Sequence, residues 1–213
     1  MHEDGLIGRV EWAVAGRALP GQQLSGDRGV VLDAGGGTAL MAVIDGLGHG
    51  AAAADATDRA VRVLTENRGE PLDVLMVLCH RAMSDTRGAA VSLALFDEDA
   101  IHWLGVGNVE SRVLTAGPAG LAVRATALLT GGIVGYRLPP TLQPQTVRVR
   151  AGDLLLMATD GIVAEAAEGI DLAKSTADIT GDLLARYAKD TDDALVLAAR
   201  SRGSSSNGGG GFR

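Results

Sequence analysis

A single cysteine, Cys79, leaves this chain of 213 residues without an intrachain disulfide framework. Its apolar helical setting marks it as a core side chain. Aromatic residues are scarce too, at 3% against 46% hydrophobic residues overall, so the core has to be aliphatic. No apolar run approaches the roughly eighteen residues of a membrane span. Met1-His2-Glu3-Asp4-Gly5 also lacks the basic and apolar segments of a signal peptide, so a cytoplasmic location is expected. Basic charge is short as well. With 19 Lys+Arg against 26 Asp+Glu, the formal net charge is -7, and there is no long basic cluster. That balance argues against nucleic acid or an anionic membrane as the main partner. No repeat of the solenoid kind is present.

What the chain does have is a rich supply of aliphatic runs and glycine corners. Its length predicts one full-sized domain over residues 1–202, with a flexible Gly/Ser-rich tail over 203–213. Alternation or apolar runs predict strands at 10–14, 29–32, 39–44, 90–96, 101–106, 111–115, 121–124, 147–149, 154–159 and 194–199. A helix is expected over 51–66, steadied by the pairs Asp55–Arg59 and Asp58–Arg62. A second follows Pro71, with Leu72, Leu75, Met76, Cys79 and Met83 on one face and His80 and Arg81 away from it. A third is expected over 172–188. Strands segregated from helices in this way predict an α+β layered fold in place of βαβ alternation.

The stretch Met41-Ala42-Val43-Ile44-Asp45-Gly46-Leu47-Gly48-His49-Gly50 organises the rest. Asp45-Gly46 alone would suit a hairpin turn. An alanine-rich helix start follows in place of a second strand, so Asp45 sits at a strand-to-helix corner. Asp160 likewise ends an apolar run and precedes Gly161. Asp27 follows Ser25-Gly26, and Asp192-Asp193 precede the apolar run from Ala194. Carboxylates at the ends of core strands are costly unless solvated, paired or holding a cation, and no matching supply of Lys or Arg flanks them. Oxygen ligands without a Cys or His cluster suit Mg²⁺ or Mn²⁺ over zinc. Two such ions roughly 3.5–4 Å apart can activate a shared water for in-line attack on phosphorus. Asp-Gly pairs are also ordinary turn chemistry, so these residues taken singly leave both readings open.

Taken in order, Ser25-Gly26-Asp27, Asp45-Gly46-Leu47-Gly48-His49-Gly50, Arg87-Gly88-Ala89-Ala90, Gly105-Val106-Gly107-Asn108-Val109, Thr159-Asp160-Gly161-Ile162 and Asp192-Asp193-Ala194-Leu195 form a recognisable set. Over roughly residues 10 to 200 the chain resembles the metal-dependent protein serine/threonine phosphatases of the PPM class, SpoIIE-like group, in their short stressosome-type build. The resemblance implies a four-layer αββα sandwich of two antiparallel sheets flanked by helices, with two Mn²⁺ or Mg²⁺ ions in a cleft at one edge. It implies that Asp45 bridges the ions, with the Gly46 carbonyl on one of them. Asp160 and Asp192 complete the other, and Asp27 acts directly or through water. Asp45 and Asp160 would then be the catalytic carboxylates, through the water their ions activate. The implied reaction is hydrolysis of phosphoserine or phosphothreonine on STAS-domain stressosome or anti-sigma antagonist proteins, by a protein expected to be monomeric.

Three departures bear on the transfer. Leu195 stands where Thr or Ser is frequent in the family, which should touch packing more than ligation. Arg87-Gly88-Ala89-Ala90 offers no carboxylate for a third ion, so two are expected. His49 reads either as a general acid beside the metals or as a cap on the helix that follows. Asn108 is either a turn residue on the cleft side or a group that orients the site. His2 and His102 are expected to be structural or solvated. Two other functions compete with the phosphatase: a binding module of the same fold without turnover, and a metal phosphoesterase for small molecules. Four retained aspartates weigh against the first, and the lack of a nucleotide-type phosphate loop weighs against the second.

Overall fold

Leu40, Ala42 and Ile44 join one buried cluster while Met41 and Val43 join another, so a single strand feeds two cores. This period of two is what a strand buried on both faces requires. The computed structural model describes residues 1–97, 99–118 and 120–203. Its strands are β1 (His2–Ile7), β2 (Val10–Arg17), β3 (Asp27–Gly35), β4 (Thr38–Gly46), β5 (Ala89–Phe96), β6 (Ala100–Val106), β7 (Glu110–Gly117), β8 (Gly120–Thr126), β9 (Gln145–Arg148), β10 (Leu154–Ala158) and β11 (Ala194–Ser201). The helices are α1 (Ala51–Glu66), α2 (Leu72–Ala82) and α3 (Thr176–Tyr187), with a 3-10 segment at Ala164–Gly169.

Two sheets result, one ordered β1-β2-β11-β10-β7-β8 and the other β3-β4-β5-β6-β9. Every strand pair within them is antiparallel. Met41, Val43, Phe96, Trp103, Leu155, Met157, Leu195 and Leu197 fill the space between the sheets. The helices α1 and α2 cover the second sheet through Ala56, Ala60, Leu64, Leu75, Met76 and Cys79. On the first sheet, α3 packs through Ile179, Leu183 and Leu184 against Ala15, Val196 and Ala198. These are the four expected layers, αββα. Cys79 is fully buried, and burial pushes its thiol up to about 12, so it packs and does not react at neutral pH.

Several local expectations are corrected. The chain opens on an edge strand, β1, that its polar residues gave no sign of; it pairs with β2 from His2↔Ala15 to Ile7↔Val10. The third helix starts at Thr176 and not at Leu172, because Ser175 is its N-cap and its Oγ accepts the Asp178 backbone N–H at 3.1 Å. Asp58 pairs with Arg28 across from β3, at 2.7 Å, and not with Arg62, whereas Asp55 and Arg59 do pair, at 3.1 Å. The 3-10 segment falls where no element was expected. Apart from Gly203, the tail proposed for 203–213 lies outside the described residues.

Candidate metal centre

Strand parity decides which acids face the space between the sheets. On β4, Asp45 follows Met41 and Val43 onto the inner face, and its partner in register across β3 is Asp27. On the opposite sheet, Thr159 follows Leu155 and Met157, and Asp193 precedes Leu195 and Leu197, in the same inward phase. One end of the sandwich therefore gathers four oxygen-bearing side chains from both sheets. Asp160 and Asp192 lie one position beyond, in the turns that leave β10 and enter β11.

Glycines allow these corners to meet. A Cβ on Gly161 would lie 1.8 Å from the Asp193 carbonyl oxygen, so only glycine lets the two acid-bearing turns touch. At Gly46 a Cβ would stand 2.8 Å from the Ala53 carbonyl oxygen of α1. Gly46 instead donates its N–H to the Gly26 carbonyl at 3.2 Å, which ties the Asp45 corner to the Asp27 corner.

The acids then divide by what holds them. Asp193, 2% exposed, accepts backbone N–H groups from Leu19 at 2.7 Å and Gly26 at 2.6 Å. It is a structural latch, a role sequence did not assign. Asp27, 5% exposed, has one hydroxyl from the facing sheet, Thr159 Oγ1 at 2.7 Å. Thr159 in turn accepts the Leu195 N–H at 3.0 Å, and Leu195 itself packs in the inner core. Burial first, then the charges of Asp45, Asp193 and Asp192, raise Asp27 to about 8. Asp45 is raised to about 7, chiefly by burial and then by Asp160, Asp192 and Asp193. Among the described residues, no Lys or Arg side chain forms an ion pair with any of the five.

The exposed Asp160 is held from two sides. Asn108 Nδ2 donates to its Oδ2 at 2.8 Å, and Lys189 Nζ donates to its main-chain oxygen at 2.6 Å. Asn108, in the turn between β6 and β7, thus also touches the Asp160 carboxylate. Asp192 is half-buried and receives the Asp193 N–H at 2.9 Å. His49 is exposed and does not cap α1, whose N-cap is Gly50 at φ 75°, with no side-chain cap bond. His80, expected to stand apart, accepts the Gly135 N–H on Nδ1 at 2.9 Å. His102 is partly exposed and bonds Thr146 at 2.9 Å.

Whether divalent cations fit can be judged from this arrangement. As the side chains stand, no three His, Cys, Asp or Glu among the described residues converge closely enough to hold an ion together. The donor set nonetheless suits a hard cation. It is all oxygen, and Asp27 and Asp45 lie opposite each other in register, in mutual repulsion, with no ion-pairing Lys or Arg among the described residues to neutralise them. Thr159, Lys189 and Asp193 are the functional neighbours that sequence reasoning left without a role. Thr159 carried a signal as the residue before Asp160-Gly161, and Asp193 as the second acid of Asp192-Asp193, whereas Lys189 carried none.

The sequence profile of the SpoIIE family, Stage II sporulation protein E, matches residues 35–206. The chain belongs to this SpoIIE-like group of PPM-type phosphatases. A comparison with curated protein sequences gives no match. Among solved structures, a chain reported under "The bacterial stressosome: a modular system that has been adapted to control secondary messenger signaling" is 30% identical. It covers 90% of this chain and 99% of its own length, with a TM-score of 0.79. RsbX in complex with magnesium is 20% identical, covers 94% and 99%, and has a TM-score of 0.81. The catalytic domain of the serine/threonine protein phosphatase PstP with two manganese ions is 17% identical, covers 90% and 97%, and has a TM-score of 0.66. No helix among the described residues is long and apolar enough to cross a membrane.

Proposed function

We propose that this protein is a Mn²⁺- or Mg²⁺-dependent protein serine/threonine phosphatase acting on phosphorylated STAS-domain proteins of the stressosome or anti-sigma antagonist type. The observation that carries the reading is the cross-strand pair Asp27–Asp45, held above the ordinary carboxylate range at the mouth of the sandwich beside Asp160 and Asp192. Asp45, Asp160, Asp192 and the Gly46 carbonyl would hold two ions, with Asp27 binding directly or through water. When bound, the ions supply Lewis-acid charge for phosphoryl oxygens and activate water.

The chain's own residues do the rest. Thr159 fixes one oxygen of Asp27, and Asn108 fixes one oxygen of Asp160, so each carboxylate keeps its other oxygen free to face the cleft. The glycine corners at 46 and 161 hold the acid-bearing turns together before any ligand arrives. His49, exposed in the turn after Asp45, is available to give a proton to the departing serine oxygen. The choice of substrate is supported by the 30% identical stressosome-related chain and by the likeness to RsbX. On this reading residues 1–202 form one catalytic domain, acting as a monomer in the cytoplasm.

The test is phosphate release from a phosphoserine-bearing STAS-domain protein with Mn²⁺ added, with EDTA added, and with Mn²⁺ restored. Activity that tracks the cation through the cycle supports the proposal. Turnover indifferent to EDTA refutes the metal assignment. Cation-dependent binding of the phosphoprotein without release would instead identify a binding module.

A further inference from the structure

A cavity of about 290 Å³ lies on the outer face of the first sheet, roofed by the 3-10 segment and α3. It shares Asn108, Thr159 and Asp160 with the acid cleft, so whatever sits in it stands beside the reaction centre. Its floor is Leu156, Ala158 and Val196, the outward residues of β10 and β11, and its roof includes Ala166, Ala167 and Leu183. Alanines on both surfaces leave the space open. A packed interior seldom leaves such a volume without occupants.

The polar side chains on its wall already have partners. Asn108 bonds Asp160 at 2.8 Å, Thr159 bonds Asp27 at 2.7 Å, Arg112 bonds Glu110 at 2.8 Å and Lys189 bonds the Asp160 carbonyl at 2.6 Å. Ten of its sixteen lining residues are apolar, Leu129, Ile162 and Val163 among them, so the cavity suits an apolar group. Its volume lies at the bottom of the roughly 300–1,000 Å³ range of small-molecule sites, which suits one large side chain better than a cofactor. Leu129, 51% exposed, lines the cavity on the solvent side, and neighbouring Leu128 is 71% exposed. An apolar approach to the acid cleft results.

We propose that this cavity is a specificity pocket that takes an apolar side chain flanking the phosphorylated residue of the protein substrate. The inference rests on the phosphatase reading above and adds to it a rule for substrate choice: the phosphate enters the acid cleft while a neighbouring Leu-sized side chain fills the pocket. Discrimination comes from burial of that side chain, so it should be lost when the pocket is filled or its lip removed.

The experiment compares phosphoserine peptides in which one leucine is walked through the positions on either side of the phosphoserine in an alanine background. In the wild-type protein with Mn²⁺, one register should raise kcat/KM roughly tenfold over the all-alanine peptide. Ala167→Leu, which fills the cavity, and Leu129→Ser, which opens its exposed lip without touching the core, should each bring that ratio back toward one. Because the readout is a ratio between two peptides on the same enzyme, a general loss of activity or of folded protein cancels. Equal rates in all registers, or a ratio unchanged in both variants, would overturn the pocket. Should wild-type protein hydrolyse no peptide, the phosphatase reading is decided separately by the STAS-domain protein assay above. The pocket is then decided by fluorescence anisotropy of the same peptides with Mn²⁺: a leucine preference abolished by both variants supports it, and no preference overturns it.

Discussion

The strand β10 carries a buried aspartate before its first residue and meets another across its last, and the two ends are handled in opposite ways. Asp153, 2% exposed, receives the Arg124 guanidinium at 2.5 Å and the Arg150 N–H at 2.8 Å. At the far end Thr159 gives its hydroxyl to Asp27, which is as deeply placed but is surrounded by Asp45, Asp192 and Asp193. A sheet sandwich can bury a carboxylate when it supplies a cation or several N–H donors. One that supplies further carboxylates stores unfavourable charge until something outside the chain neutralises it. The first end of β10 holds the fold together, and the second is the one that the proposed function assigns to a cation.

The largest expected effect falls on the ligand end. Asp45→Asn keeps the volume and the β3–β4 register but removes the charge that both sheets converge on. Phosphate release in Mn²⁺ should drop on the order of 10³-fold, as loss of several kcal/mol of metal-derived stabilisation implies. Retention of the wild-type rate would mean that the cleft is not where hydrolysis occurs.

Stability should separate the ends next, and with opposite signs. Asp153→Asn strands Arg124, which is partly exposed, and should cost roughly 2–4 kcal/mol by urea or thermal unfolding. Asp27→Asn removes an uncompensated charge while its amide oxygen still accepts from Thr159. In EDTA at pH 8 it should raise Tm, and it should also lose the Tm gain that Mn²⁺ gives the wild type. A fall in Tm for both variants would erase the contrast between the two ends.

The same contrast has a pH signature. Asp27 and Asp45 have folded-state values raised to about 8 and about 7, above those of an unfolded chain. Between pH 4 and 8 the native state then binds more protons than the unfolded one, so metal-free stability is fully present at the acid side and is lost as pH rises through 7 to 8. Added Mn²⁺ should reverse this, raising Tm at pH 8 by roughly 5–10 °C at a hundredfold excess over Kd, and by less at pH 5. Thermal scans in EDTA and in Mn²⁺ across that range check the sign. Metal-free stability that climbs between pH 5 and 8 would contradict it.

How much of this was legible in the sequence follows from how local each signal is. The helix over 51–66 could be read to the residue because an alanine-rich run follows a glycine corner, and β4 because an unbroken apolar run has few other fates. The edge strand β1 was missed since its row His2-Glu3-Asp4 faces solvent, and only pairing with β2 makes it a strand. Asp58 turned to Arg28 because the fold packs α1 on β3, a contact that helix spacing does not encode. At the site, the acids at 27, 45, 160 and 192 could be picked out from their place at strand ends. That Asp193 is a latch and Asp192 its half-buried neighbour could not, since both precede the same apolar run and only inward phase and the N–H groups of Leu19 and Gly26 tell them apart.

The smallest effect concerns Asn108, and it tests whether the ligand end is merely acidic or is also pre-arranged. Asp160 is exposed, so without a tether its carboxylate would sample several rotamers, and each ion bound would have to restrict it. Asn108 Nδ2 holds one oxygen at 2.8 Å, from the turn that follows β6 and precedes β7. Groups that orient a metal-ligating carboxylate typically contribute 10–100-fold in affinity or activity. Asn108→Ala should accordingly weaken Mn²⁺ binding by roughly tenfold by calorimetry, and lower activity less at saturating Mn²⁺ than at limiting Mn²⁺. Asn108→Gln, which keeps an amide donor, should recover part of the affinity, whereas Asn108→Asp should be worse than alanine because it adds another repelled carboxylate to the cleft. An alanine variant with unchanged Mn²⁺ affinity would show that Asp160 is positioned by the turn alone, leaving its glycine neighbour and the Lys189 contact to its carbonyl as the whole of the arrangement.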